Sequence, residues 1–162
     1  MSQLIGSKKM VGPPRGVDLE ENLYRLYPRT IVDGYLHMDH MGEQGHATAS
    51  ATEENTVCGD ELTVYLNVSD GIITSANYKG KGCVIFLGAA EMSAARLRGM
   101  DATQVVEMEN SNICALLGVN IKPSRLRCAN LFMRAAKEAV RAMQVARASE
   151  SAGGSVGHDS KR

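Results

Sequence analysis

The stretch that most restricts the fold is residues 61–78. From 61 to 68 the side chains alternate, with Leu62, Val64, Leu66 and Val68 on one side and Thr63, Tyr65 and Asn67 on the other. A period of two is the pattern of a half-buried strand. Ser69-Asp70-Gly71 supplies turn chemistry and 72–78 is again β-capable, so the two runs are expected to pair as an antiparallel hairpin. Residues 47–52 offer a weaker third strand.

Everything around the hairpin reads as helix or as punctuation. Leu19, Leu23, Leu26 or Tyr27, Ile31 and Tyr35 recur at the spacing of an amphipathic helix over 18–35, and Pro28 interrupts it. Proline is tolerated in a first turn and costly in an interior, so a helix should start or restart near Tyr27. After Gly80-Lys81-Gly82, residues 85–98 are nearly all good helix formers and Gly99 ends the run. Shorter helices are expected over 102–108 and 112–117, and Pro123 breaks the chain before the last long helix. There Leu131, Phe132, Ala135, Ala136, Ala139, Val140 and Met143 oppose Arg134, Lys137, Glu138 and Arg141. A helix, then strands, then helices implies an α+β domain, with several helices laid over a small antiparallel three-stranded sheet. That domain is expected over 17–148. Residues 1–16 read as a flexible arm, and 149–162, which contain His158, as a disordered tail.

Eighteen Lys and Arg balance eighteen Asp and Glu, which leaves no field of one sign to draw in nucleic acid or an anionic membrane. No run of 18 apolar residues occurs, and the first residues lack the pattern of a secretory signal. The expectation is a cytoplasmic protein whose four cysteines are free thiols or metal ligands rather than disulfides.

Those cysteines are the chief functional clue. Cys58 stands in Val57-Cys58-Gly59-Asp60, Cys83 in Gly80-Lys81-Gly82-Cys83, and Cys128 at the end of Pro123-Ser124-Arg125-Leu126-Arg127-Cys128. Separations of 25 and 45 residues are unlike the close ligand pairs of a zinc knuckle, so a shared site has to be assembled by the fold. All three lie at expected element ends, where sites are usually built. Arg125 and Arg127 place cations beside Cys128, Lys81 does so beside Cys83, and cations favour thiolate over thiol. Gly59 and Gly82, without a Cβ, let backbone approach a bound ion closely. Three thiolates and the Asp60 carboxylate suit tetrahedral zinc, and thiolates also hold iron-sulfur clusters. Residue types and spacing leave a second reading open, in which each cysteine is a small buried hydrophobe. Cys114, among the apolar residues of 112–117, takes that second reading.

In their order, Cys58-Gly59-Asp60, the Gly-x-Gly-Cys of 80–83 and the Arg-x-x-Cys-Ala-x-Leu of 125–131 resemble the U-type iron-sulfur scaffold family, which includes IscU, SufU and the N-terminal part of NifU. Leu26-Tyr27, Ile31, Asp33, Tyr35 and Gly42 extend the resemblance over about 26–142. It implies a scaffold that receives sulfur from a cysteine desulfurase, assembles a cluster of the 2Fe-2S kind, and passes it to recipient apoproteins. Cys58, Asp60, Cys83 and Cys128 would be its ligands, with Cys128 the candidate persulfide acceptor and Arg125 its helper. The protein would be a non-enzymatic scaffold, compatible with a weak homodimer. The last motif is similar to that of SufU, which implies the alternative of a zinc-dependent sulfurtransferase activating its desulfurase. A structural zinc domain that only binds partners is the third reading. The chain departs from the family pattern with Arg127 where IscU has histidine, Phe86 where relatives usually have serine, Gly34 where many have histidine, and Ile121-Lys122-Pro123-Ser124-Arg125 at the chaperone-docking stretch.

His37, His40 and His46 match no recognised metal spacing and read as solvated loop histidines. The nine methionines read as fillers of core gaps.

Overall fold

The computed structural model describes residues 18–153. The expected arm and most of the expected tail, His158 included, lie outside the described residues.

The alternating run becomes β2 (Asp60–Ser69), with Leu62, Val64, Leu66 and Val68 all buried. It pairs antiparallel with β3 (Ile72–Lys81) through the two-residue turn of Asp70 and Gly71, at φ +51° and +80°. Both central residues in the left-handed region mark the turn type whose twist matches that of the strands it joins. A register shift at Asn67 and Val68 then turns Ile73, Ala76 and Tyr78 onto the buried face. The third strand, β1 (Ala49–Asn55), pairs with the other side of β2 in the order β1-β2-β3. It begins and ends later than 47–52 because its register is set by pairing, from Ala49 with Leu66 to Asn55 with Asp60. Glu53 and Glu54 at its outer end hide the strand from a hydrophobicity reading and suit an edge.

The helical segment before the sheet is two helices, α1 (Leu19–Leu26) and α2 (Arg29–Leu36), with Pro28 capping the second. Helix α2 lies against α3 (Val84–Leu97) so closely that a Cβ on Gly88 would stand 2.2 Å from the Ile31 carbonyl oxygen, and one on Gly34 2.7 Å from that of Gly88. Gly34 therefore stands at a backbone-to-backbone contact that a histidine would break. Beyond α4 (Ala102–Glu107) and α5 (Ile113–Leu117), a 3₁₀ turn over Pro123–Arg125 leads into the single turn α6 (Leu126–Ala129) and then α7 (Leu131–Ala152). The last helix crosses the sheet beside β1 and β2, with the Phe132 ring set edge-on to Tyr78, centroids 6.0 Å apart. It runs past 148, into the stretch assigned to the tail, because 149–152 are tolerable helix residues and the first glycine there is Gly153. No helix among the described residues is long and apolar enough to cross a membrane.

The loop between α2 and β1 corrects the reading of one histidine. His37 and His46 are exposed, but His40 Nδ1 lies 2.6 Å from the carboxylate of buried Glu91 on α3. The same carboxylate accepts from the backbone N–H groups of Asp39 and His40 and, at 3.2 Å, from the Tyr78 hydroxyl. Glu91 thus ties the loop to the core, a partnership across 51 residues that local sequence does not display.

Candidate metal centre

At one end of the sheet the strand ends and helix starts meet. Cys58 lies in the connection from β1 to β2, where the Asn55 carbonyl accepts the N–H groups of Cys58 at 3.2 Å and Gly59 at 2.8 Å. Gly59 closes that turn at φ +71°, a conformation that costs glycine little. Asp60 opens β2 with 1% of its surface exposed. Cys83 is the residue before α3, where its sulfur accepts the Phe86 N–H at 3.4 Å and its own N–H donates to Asp60 Oδ1 at 3.1 Å. Cys128 sits in α6, 1% exposed.

The ligand atoms of Cys58, Asp60 and Cys128 all lie within 4.8 Å of one another, the one such grouping of His, Cys, Asp and Glu among the described residues. The Cys58 and Cys128 sulfurs are 3.4 Å apart, close to the separation of two ligands on one tetrahedral zinc. Cys83 stands outside the trio and is joined to it through its backbone bond to Asp60. Of the two expectations for the cysteines, convergence therefore describes Cys58, Asp60 and Cys128, with Cys83 at the margin. Cys114 is half-buried against the core, apart from the site.

Two features bear on what the cluster can hold. Asp60 Oδ2 is buried and makes no hydrogen bond, and an ionised oxygen withdrawn from water without a partner is costly unless a cation occupies its free side. Burial first, then the neighbouring Cys58 sulfur, Cys83 and Asp60, push the Cys128 thiol well above the ordinary thiol range. A metal removes both costs by drawing charge from the carboxylate and displacing the thiol proton. The residues fit a thiolate-preferring cation such as zinc, and equally the iron of a cluster.

The surrounding residues differ from expectation in several respects. Lys81 is 78% exposed at its side chain and pairs with Glu61 at 3.2 Å. Arg125 and Arg127 are exposed, and Arg125 lines a groove of about 280 Å3 with Leu26, Tyr27, Ile31, Ile85 and Ile121. Gly82 is required by packing: a Cβ there would fall 2.3 Å from Asp60 Oδ1 and 2.5 Å from the Phe86 ring. Phe86 is fully buried and forms an apolar wall behind Gly82 and Asp60. Sequence reasoning missed Asn55, whose Nδ2 lies 3.5 Å from Cys128 Sγ. Its only local signal was a polar residue ending a polar strand.

The family model for the NifU-like N terminal domain matches residues 26–150. An iron-sulfur cluster assembly scaffold protein IscU from Thermotoga maritima is 27% identical over 132 residues, covering 72% of this chain and 93% of the relative. A zinc-dependent sulfurtransferase SufU from Bacillus subtilis is 26% identical over 136 residues, covering 74% and 92%. Among solved structures, a NifU-like protein from Brucella abortus superposes with a TM-score of 0.63 at 19% identity over 74% of this chain and 95% of that one, so the fold is shared. With the match spanning most of the chain and the three cysteine motifs inside it, the protein belongs to the NifU-like N terminal domain family.

Proposed function

We propose that this protein is an iron-sulfur cluster assembly scaffold that takes sulfur from a cysteine desulfurase, builds a cluster of the 2Fe-2S kind on Cys58, Asp60, Cys83 and Cys128, and hands it to recipient apoproteins. The observation that carries the reading is the buried, unpartnered Asp60 oxygen set among the Cys58 and Cys128 sulfurs. The membership of the family and its IscU relative support the same reading. A lone carboxylate among thiolates is the ligand least matched to a sulfur-bridged cluster, which suits a site whose cargo departs.

Access orders the sulfur chemistry. An incoming persulfide meets exposed Cys58 before buried Cys128. The Cys58 thiolate attacks the outer sulfur, the donor S–S bond breaks, and the donor cysteine leaves as thiolate. Cys128, 3.4 Å behind, then takes that outer sulfur: its thiol proton passes to the Cys58 sulfur as the Cys58 S–S bond breaks, and Cys58 is freed as a thiol. We assign exposed Arg125, which lines the neighbouring groove, to contact with an incoming partner.

Anaerobic reconstitution with iron, cysteine and a desulfurase tests the proposal. A visible chromophore is expected in the wild-type protein and not in Cys83→Ser; its absence from the wild type under every condition would count against a scaffold. The short sulfur-to-sulfur distance also suits one zinc ion, and the SufU relative favours a zinc-dependent sulfurtransferase as the second reading. In that case the protein as purified carries about one zinc per chain and raises desulfurase turnover without acquiring colour.

A further inference from the structure

Cys58 and Cys128 are 70 residues apart in sequence, and one residue touches the segments of both, through its backbone on one side and its side chain on the other. Asn55 is the last residue of β1, 6% exposed. Its backbone carbonyl holds the Cys58-Gly59 turn, and it pairs across the ladder with Asp60. Its side-chain amide nitrogen points at Cys128 Sγ from 3.5 Å. Two residues earlier on the same strand, Glu53 meets Arg134 of α7 at 2.7 Å, which fixes β1 to the helix that follows Cys128. Asn55 is therefore anchored from outside the cluster and directs a hydrogen-bond donor into it.

We propose that Asn55 is the positioning residue of this centre: its amide N–H bonds the Cys128 sulfur and aims it toward Cys58 and Asp60. The inference rests on the reading of the cysteines and Asp60 as a ligand set and adds a residue that is not itself a ligand. An N–H directed at a thiolate stabilises negative charge on sulfur and lowers its donor strength. Cys128 is thereby aimed into the ligand set, while Cys58, with no N–H donor on its sulfur among the described residues, is the exposed thiol that an incoming group reaches first. Partners that orient ligands in this way are worth about ten- to hundredfold in metal affinity.

Cobalt(II), a coloured substitute for zinc, tests this on the full chain. The wild type is compared with Asn55→Asp, which has the same shape and no N–H donor, and Asn55→Ala. Both variants keep the backbone carbonyl that holds the turn. Each is expected to bind cobalt, release it to a chelator about ten- to hundredfold faster, and move the sulfur-to-cobalt charge-transfer band to lower energy. A purely structural role would leave the band in place. If both variants bind cobalt with wild-type band and release rate, the Asn55 inference is overturned and the ligand reading stands. If the wild type has no sulfur-to-cobalt band, the ligand reading fails and the inference with it. If circular dichroism shows that the aspartate variant does not fold, the alanine variant decides. Loss of fold in both overturns the proposal, since Asn55 would then serve β1 alone.

Discussion

Cys128→Ser is expected to lower zinc affinity at least a hundredfold while leaving the metal-free protein folded. A serine hydroxyl stays protonated near neutral pH and is a poor ligand for a thiolate-preferring ion. Removing a ligand should exceed the roughly ten- to hundredfold cost of losing a partner that merely orients one. The fold should survive because the change is nearly isosteric and the serine oxygen can accept the Asn55 amide that now faces sulfur. Competition with a chromophoric chelator reads the affinity, and Cys114→Ser, outside the cluster, is the control that should change nothing. The pH dependence carries a second signature. With its pKa raised by burial and by its neighbours, the Cys128 thiol is protonated near neutrality, and zinc must displace that proton. Affinity should therefore climb as pH rises, about tenfold per unit for each proton displaced. The serine variant should lose one proton from that slope.

Asp60→Asn should act in opposite directions on the two states of the protein. In the metal-free protein the buried Asp60 Oδ2 lacks a hydrogen bond while Oδ1 accepts the Cys83 N–H. Asparagine preserves that acceptor, removes the charge, and turns an N–H toward sulfurs able to accept it. An unsatisfied buried polar group costs about 1–3 kcal/mol, more when charged. The metal-free variant should therefore unfold at a Tm higher by about 2–4 °C for each kcal/mol recovered, the scaling for a chain of about this size. Zinc-loaded, it should be the weaker binder, because the amide replaces a charged ligand. Calorimetric scans with and without metal would measure both. A Tm that falls in both states would mean that Asp60 is a structural residue and not a ligand held ready.

The fold was legible wherever a short-range pattern governed it. Alternation from Leu62 to Val68, the Asp70-Gly71 turn and the Pro28 break each act within a few residues, and each appears where the sequence puts it. β1 was only partly legible, because an edge strand ending Thr-Glu-Glu-Asn takes its register from β2 rather than from its own composition. In the site, Cys58, Asp60 and Cys128 could be nominated by motif, but their convergence depends on α6 returning to the mouth of the first strand connection. Asn55 and the His40-Glu91 pair escaped notice for the same reason, and Phe86 stood out only as a departure from the family pattern: their partners lie elsewhere in the chain. Gly82 was read as space for an ion, whereas the geometry makes it space for Asp60 and Phe86.

X-ray absorption at the zinc edge of the zinc-loaded protein addresses the ligand set directly. Cys58, Cys83 and Cys128 with Asp60 predict three sulfurs at about 2.3 Å and one oxygen at about 2.0–2.2 Å, with Cys83 drawn in from the margin of the trio. A shell made only of nitrogen and oxygen, or an unchanged shell in Cys128→Ser, would contradict the account.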